Sequence, residues 1–280
     1  MSWNTILVSL NDFERNKQTV KIACQLAAHQ DAHIIGLFVT PMMPVYPVPG
    51  AYGLSGLIDT HEAYFKEKAE QAKAHFEDVA GKNGLRNEWR HVKSRSSIIA
   101  PAVIEHGREA DIVVVSQVNP DDPDGAESDF CDHVVMETGR PTLIVPYSGK
   151  IEPIGGTVVI GWNGTREAAR AAFDALPLLQ TASQVLLVWV DPEDDGETAG
   201  QLPGSEMAAT LSRHGINVIA EALPTGHLAA ADALLNRVAD SNANLLVAGA
   251  YGHSRMREFV FGGVTNSLLK HMTVPVLMSN

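Results

Sequence analysis

The sequence predicts an α/β protein made of two tandem five-stranded parallel-sheet domains of Rossmann-like type, and three observations carry the prediction. Its 280 residues exceed one ordinary domain and suit two of about 140 each. Its candidate strands, such as Ile112–Val115 and Leu245–Val247, are apolar without alternation, as in a sheet covered on both faces by helices. The chain also repeats itself. Asn4–Asp12 (NTILVSLND) matches Gly156–Gly164 (GTVVIGWNG), each a short β-branched run ending in Asn and a turn residue.

The elements then fall in the same order twice. After the first strand, Val20, Ala23, Cys24 and Ala27 keep the i, i+3, i+4, i+7 spacing of a buried helical stripe. Ala168, Ala171, Ala172 and Ala175 do the same in the second half. Second strands follow at His33–Pro41 (HIIGLFVTP) and Gln184–Pro192 (QVLLVWVDP). Next come a long helix with Phe65, Ala69, Ala72 and Phe76 on one face, a strand near Asn87–Val92 and a helix over Ser97–His106. Their counterparts lie near Met207–His214, Asn217–Leu223 and Leu228–Asp240. Fourth strands are Asp111–Ser116 and Asn244–Gly249, and each half closes on proline plus an apolar run, Pro141–Val145 and Pro275–Met278. Ser148–Gly156, with Pro153 and two glycines, is the joint between a domain over 1–150 and another over 151–280.

Charge and composition narrow the function classes. Lys+Arg number 21 against 33 Asp+Glu, a formal charge of −12. A surface that acidic repels the phosphates of nucleic acids and lipid headgroups, which argues against nucleic-acid and membrane partners. Backbone N–H groups can still hold a small anion. No apolar stretch approaches the roughly 20 residues of a membrane span, and no basic region precedes the first apolar run, so the expected location is cytoplasmic. Two cysteines are too few for a disulfide framework or a cysteine-rich zinc site. Cys24 falls on the buried stripe, and Cys131 stands among carboxylates that raise a thiol pKa. The histidines show no metal-ligand spacing; Asp129, Asp132 and His133 read as a solvated helix start, and no metal is assigned to protein ligands.

In a sheet of this kind, ligands bind beyond the carboxyl ends of the strands, near the switch in strand order. After the fourth strand of the second half stand Ala248 and Gly249, then Gly252, His253 and Arg255. Gly262, Gly263, Val264 and Thr265 open the last helix. Such a loop reads as a phosphate cradle. Glycine lets backbone amides approach an anion without a Cβ in the way, and the helix start adds free N–H groups and a positive dipole end. Thr265 offers a hydroxyl; His253 either touches phosphate or faces water.

The pattern G-x-x-G, nine residues, G, after the fourth strand of a five-stranded α/β unit, resembles the universal stress protein family. The resemblance covers nearly the whole chain as a tandem pair. It implies an adenine nucleotide (ATP, or AMP or ADP), with Mg as a companion ion, held at its phosphates by the glycine loop. It further implies an acidic residue ending the first strand for the nucleoside, and a backbone position ending the second strand for the adenine. On this chain those positions are Asn163, followed by Gly164 and Thr165, and Val190. Asn163 stands where Asp is expected, and Gly263 where Ser or Thr is expected. The resemblance also implies an intrachain pseudo-dimer through the last strands of the two halves, with a homodimer and protein partners left open.

The first half departs from this pattern. Ser116 and Asn119 replace the two glycines, and six carboxylates with no Lys or Arg lie between Ser116 and His133. Like-charge repulsion there implies a lost phosphate site, with carboxylates such as Asp129 or Asp132 capping the helix instead. The Pro/Gly-rich stretch Pro41–Gly53 reads as a lid or contact surface. No Walker-A loop, nucleophile elbow or kinase signature occurs, and Lys270, the single lysine of the second half, lies away from the glycine loop. The expectation is a nucleotide-responsive sensor working through its second domain rather than an enzyme. The alternatives are a nucleotide-free adaptor and a slow ATP-hydrolysing enzyme.

Overall fold

The computed structural model describes all residues except 1, 14, 44–53, 123–124, 149–151, 192–201, 227 and 253–262. The chain divides into two compact units, Trp3–Thr138 and Gly139–Asn280 together with the first two residues.

The first unit runs β1 (Thr5–Ser9), α1 (Asn16–Gln30), β2 (His33–Thr40), α2 (Leu54–Lys82), β3 (Asn87–Lys93), α3 (Ala100–Gly107), β4 (Ile112–Ser116) and α4 (Phe130–Glu137). Its strands are parallel in the order β3-β2-β1-β4. Ile6, Leu7 and Val8 of β1 and Ile112–Val115 of β4 are fully buried, which is why these runs carry no polar alternation. The stripe Val20, Ala23, Cys24 and Ala27 faces the sheet from α1, and Phe76 of α2 packs with its ring 6.0 Å from Trp89 of β3. Helix α3 starts at Ala100 rather than Ser97, with Pro101 in the first turn, where a missing N–H costs no helical bond.

The second unit runs β5 (Thr142–Val145), β6 (Thr157–Gly161), α5 (Arg166–Asp174), α6 (Leu176–Leu179), β7 (Gln184–Val190), α7 (Ser205–Arg213), β8 (Val218–Leu223), α8 (Ala230–Asp240), β9 (Leu245–Gly249), α9 (Val264–His271) and β10 (Val276–Ser279). The order β10-β9-β6-β7-β8 is parallel throughout. Pro177 has no N–H for the turn before it, so α5 ends and the short α6 restarts the helix.

The run Pro141–Val145 forms β5, which pairs antiparallel with β10, Leu143 opposite Leu277. An apolar strand with an open edge gains a full ladder this way. The compact units therefore part ahead of the Pro/Gly joint at 148–156. In the second unit β6 has β7 on one side and β9 on the other, so the strand order switches there. The carboxyl ends of β6 and β9 open a crevice at that point.

Candidate functional site

A cavity of about 150 Å³ occupies the crevice. Three groups of expected residues line it: Asn163, Thr165 and Val190 from the strand ends, Ala248, Gly249 and Gly252 from the loop after β9, and Val264 and Thr265 from the start of α9. Gly263 is the N-cap of α9 and stands next to the lining residue Val264 without lining the cavity itself. Gly164, at φ 71°, stands beside the Trp189 ring rather than on the lining. His253, Arg255 and Gly262 lie outside the described residues.

The strand ends leave one backbone edge of β7 beyond its neighbour. Strand β6 stops at Gly161, opposite Val188, and the Trp162 N–H donates to the Val188 carbonyl at 2.8 Å. Successive residues of a strand aim their N–H and C=O to opposite sides. The Asp191 N–H donates to Leu223 of β8 at 3.0 Å, so Val190 aims its N–H and C=O to the β6 side, past the point where β6 has ended. Asp191 fixes this end of β7. Its carboxylate accepts from the Thr225 hydroxyl and from the Thr225 N–H at 2.6 Å, and these bonds hold its carboxyl below the usual range.

The start of α5 forms the next wall. Asn163 Oδ1 accepts from the Thr165 hydroxyl at 2.8 Å and the Thr165 N–H at 3.3 Å, and Thr165 in turn caps the helix by accepting from the Ala168 N–H. The carbonyl that Asn shares with the expected Asp is thus engaged in shaping the turn. On the opposite wall the first bond of α9 runs from the Ser267 N–H to the Gly263 carbonyl, so the Val264 and Thr265 N–H groups have no intrahelical acceptor. The Thr265 hydroxyl, buried at 2% exposure, accepts from the Tyr251 N–H at 3.3 Å. This bond ties the loop after β9 to the first turn of α9.

Trp162 and Glu167 are among the lining residues that the sequence pattern did not assign to the site. Trp162 brings an indole to the cavity wall. Glu167 brings a carboxylate and is only 3% exposed. Burial pushes its carboxyl up, but hydrogen bonds from Arg166, its own N–H and Thr165 outweigh burial and hold it below the usual range. The cation partner Arg166 is largely exposed, and its Nε contacts Glu167 Oε1. Glu167 in the first turn of a helix reads from sequence as a dipole-favoured acid; nothing in the pattern says that it turns inward.

The glycines also have a structural duty. A Cβ at Gly249 would stand 2.5 Å from the Ala168 nitrogen and from the Glu167 carbonyl carbon, so Gly249 lets α5 touch the end of β9. A Cβ at Gly252 would stand 2.9 Å from Glu167 Oε2. Both glycines therefore admit the helix start and its carboxylate, a role the phosphate-cradle reading did not include.

The corresponding place in the first unit is nearly filled. Its cavity measures about 20 Å³, lined among others by Asn11, Ser116, Asn119 and Asp122. Asn11 turns inward: its Nδ2 donates to the Val39 carbonyl at 2.6 Å, and its Oδ1 accepts from the Val39 N–H at 3.0 Å. The expected capping by Asp129 or Asp132 takes another form. Asp129 sits at the α4 cap position without a side-chain cap bond, because its carboxylate faces His133 at 3.1 Å, and Asp132 lies in the first turn. Glu127 instead accepts from the Ile99 and Ala100 N–H groups at the start of α3. Cys131 is buried, and burial ahead of Asp132 pushes its thiol up to about 12; Cys24 is pushed to about 12 by burial alone. Among the described residues no group of three or more His, Cys, Asp or Glu is placed to hold a metal ion, and no helix is long and apolar enough to cross a membrane. Residues 44–53 of the expected lid lie outside the described residues.

No curated protein matches the chain. Among solved structures, a universal stress protein of Archaeoglobus fulgidus is 15% identical with a TM-score of 0.72, covering 99% of this chain and 96% of its own. A Pseudomonas aeruginosa structure described by the same family name is 14% identical with a TM-score of 0.60, covering 99% and 93%. Both show the fold over the full length. A universal stress protein solved in complex with cAMP is 20% identical over 53% of this chain and all of its own, with a TM-score of 0.40. The family model of the universal stress proteins matches residues 156–280. The chain is thus similar to the universal stress proteins over residues 156–280.

Proposed function

We propose that the second unit binds an adenine nucleotide in the crevice beyond β6 and β9, and that the chain works as a nucleotide-responsive binding module. The observation that carries this reading is the outward edge of Val190. An N–H and a C=O beyond the last β6 partner offer a donor and an acceptor side by side, the complement of an adenine edge. Across the cavity the N–H groups of Val264 and Thr265, which have no intrahelical acceptor, and the positive end of α9 favour an anion, so base and phosphate have separate places. Asn163 and Thr165 line the same cavity and are read as the contacts of the ribose.

The first unit is read as closed to a base, because Asn11 already gives Val39 the two hydrogen bonds that an adenine would. No catalytic residue is assigned. Phosphoryl transfer needs positioned cations as well as a base or water-orienting group, and the described lining offers the carboxylate of Glu167 but no lysine or arginine. A sensor in which occupancy biases the loops suits such a site better than an enzyme does.

Native mass spectrometry of freshly purified protein, paired with calorimetric titration of ATP, ADP, AMP and adenosine, tests the reading. One adenine-bearing ligand per chain is expected. Binding at two equivalent sites would overturn the assignment to the second unit, and no binding of any of the four would favour the adaptor. Sustained release of phosphate would favour the enzyme.

A further inference from the structure

Glu167 is the feature of the cavity that the nucleotide reading does not absorb. Its carboxylate is buried, lies against Gly252, and shares the cavity with Val264 and Thr265, the residues assigned to phosphate. The hydrogen bonds from Arg166 and Thr165 keep it ionised near neutral pH. Arg166, itself largely exposed, pairs with Oε1, while Oε2 lies on the Gly252 side.

A fixed negative charge at a phosphate position acts selectively. It leaves a neutral nucleoside untouched, opposes a monophosphate, and opposes a triphosphate more, since repulsion grows with ligand charge and with the low dielectric of a closed site. A divalent cation reverses the sign of the interaction. Mg²⁺ is commonly held by one or two carboxylates together with the phosphates of its ligand.

We propose that Glu167 is the specificity-determining residue of this cavity, disfavouring bare polyphosphate and admitting nucleoside phosphates in company with a divalent cation that its carboxylate shares. The proposal rests on the adenine-nucleotide reading above. It assigns the acid to the ligand's phosphate count and leaves base recognition to Val190.

The experiment titrates adenosine, AMP and ATP into the full chain in EDTA and again in MgCl₂, for the wild type and for Glu167→Gln. In EDTA the wild type should bind adenosine more tightly than ATP, and Mg²⁺ should raise its ATP affinity at least about tenfold. Glu167→Gln keeps the size of the side chain and removes its charge. It should bind ATP in EDTA at least about tenfold more tightly than the wild type, and adenosine within about twofold. A folded variant whose ATP affinity in EDTA equals that of the wild type overturns the proposal while leaving the nucleotide site standing. A wild type that binds ATP more tightly than adenosine in EDTA overturns it as well, and that arm decides alone should the variant fail to show a cooperative melt. Failure of all three ligands to bind the wild type removes the nucleotide reading itself, and this one with it.

Discussion

The two strand tips that close β1 and β6 carry the same residue and use it in opposite ways. Asn11 turns its carboxamide onto the backbone of Val39, filling that residue's N–H and C=O. Asn163 turns instead onto Thr165, two residues ahead, and leaves the matching edge of Val190 facing the cavity. The difference follows from the next residues. Thr165 offers a hydroxyl and an N–H at turn distance, whereas Phe13, two residues after Asn11, has no hydroxyl to offer. A strand end can thus be closed by a side chain that fills the backbone's hydrogen bonds, without any change in the strands.

The same comparison runs through the fourth strands. Ser116 ends β4 with its hydroxyl 2.8 Å from the Thr19 hydroxyl on α1, while Gly249 ends β9 with α5 pressed against its backbone. Giving the second unit the residue of the first, Gly249→Ser, places a Cβ where the Glu167 and Ala168 backbone already stands. Backbone cannot swing aside as a side-chain tip can, so the loss should be the largest of this series, about 3 kcal/mol. Urea unfolding measures it. A stability equal to the wild type would show that α5 can retreat, and that Gly249 is kept for ligand alone.

Next in size is the effect at Asn11. Asn11→Ala removes two buried hydrogen bonds and leaves the Val39 N–H and C=O without them, a loss of about 2 kcal/mol. Asn163→Ala, at an exposed position, should cost about 0.5 kcal/mol or less in the same urea series. Equal losses would break the distinction between a closed tip and an open one. The cap at Thr165 comes third. Thr165→Ala deletes the oxygen that accepts from Ala168 and frees Asn163 Oδ1, at about 1 kcal/mol of thermal or chemical stability. It should also weaken ligand binding, since Asn163 is then at liberty to close on Val190 as Asn11 closes on Val39.

Much of this was legible in the amino-acid order. The continuous runs at Ile112–Val115 and Leu245–Val247 could only be buried parallel strands, and the stripes from Val20 and Ala168 fixed the faces of two helices. Gly249 and Gly252 were found from their spacing, because glycine marks close approach whatever the approaching group is. What approaches was not legible. Glu167 and Asn11 both carry polar side chains in positions where an outward rotamer is the ordinary choice, and only the packing of α5 on β9 and of Asn11 under Val39 turns them in. The pairing of β5 with β10 is likewise a long-range choice between edges, which a local pattern does not encode.

The smallest expected effect tests whether the acidic stretch of the first unit is internally satisfied. His133 lies between Glu137, 2.9 Å from Nδ1, and Asp129, 3.1 Å from Nε2. Two carboxylates on the two ring nitrogens require both nitrogens to donate, which is the imidazolium form. The hydrogen bond to Glu137 raises its pKa above the usual 6.5, burial opposes, and Asp129 adds to the rise. A raised folded pKa contributes stability that is complete below the unfolded value and is lost as pH climbs through the folded one. The wild type should therefore lose stability between about pH 6 and pH 8 relative to His133→Gln. The loss should be under about 1 kcal/mol, because the carboxylates and part of the ring face solvent. Parallel urea series at the two pH values read the difference directly. If both proteins change alike, His133 is not the cation that balances Asp129 and Glu137. The acid of the first unit would then be held by solvent, and its resemblance to a self-satisfied site would end at Asn11 and Glu127.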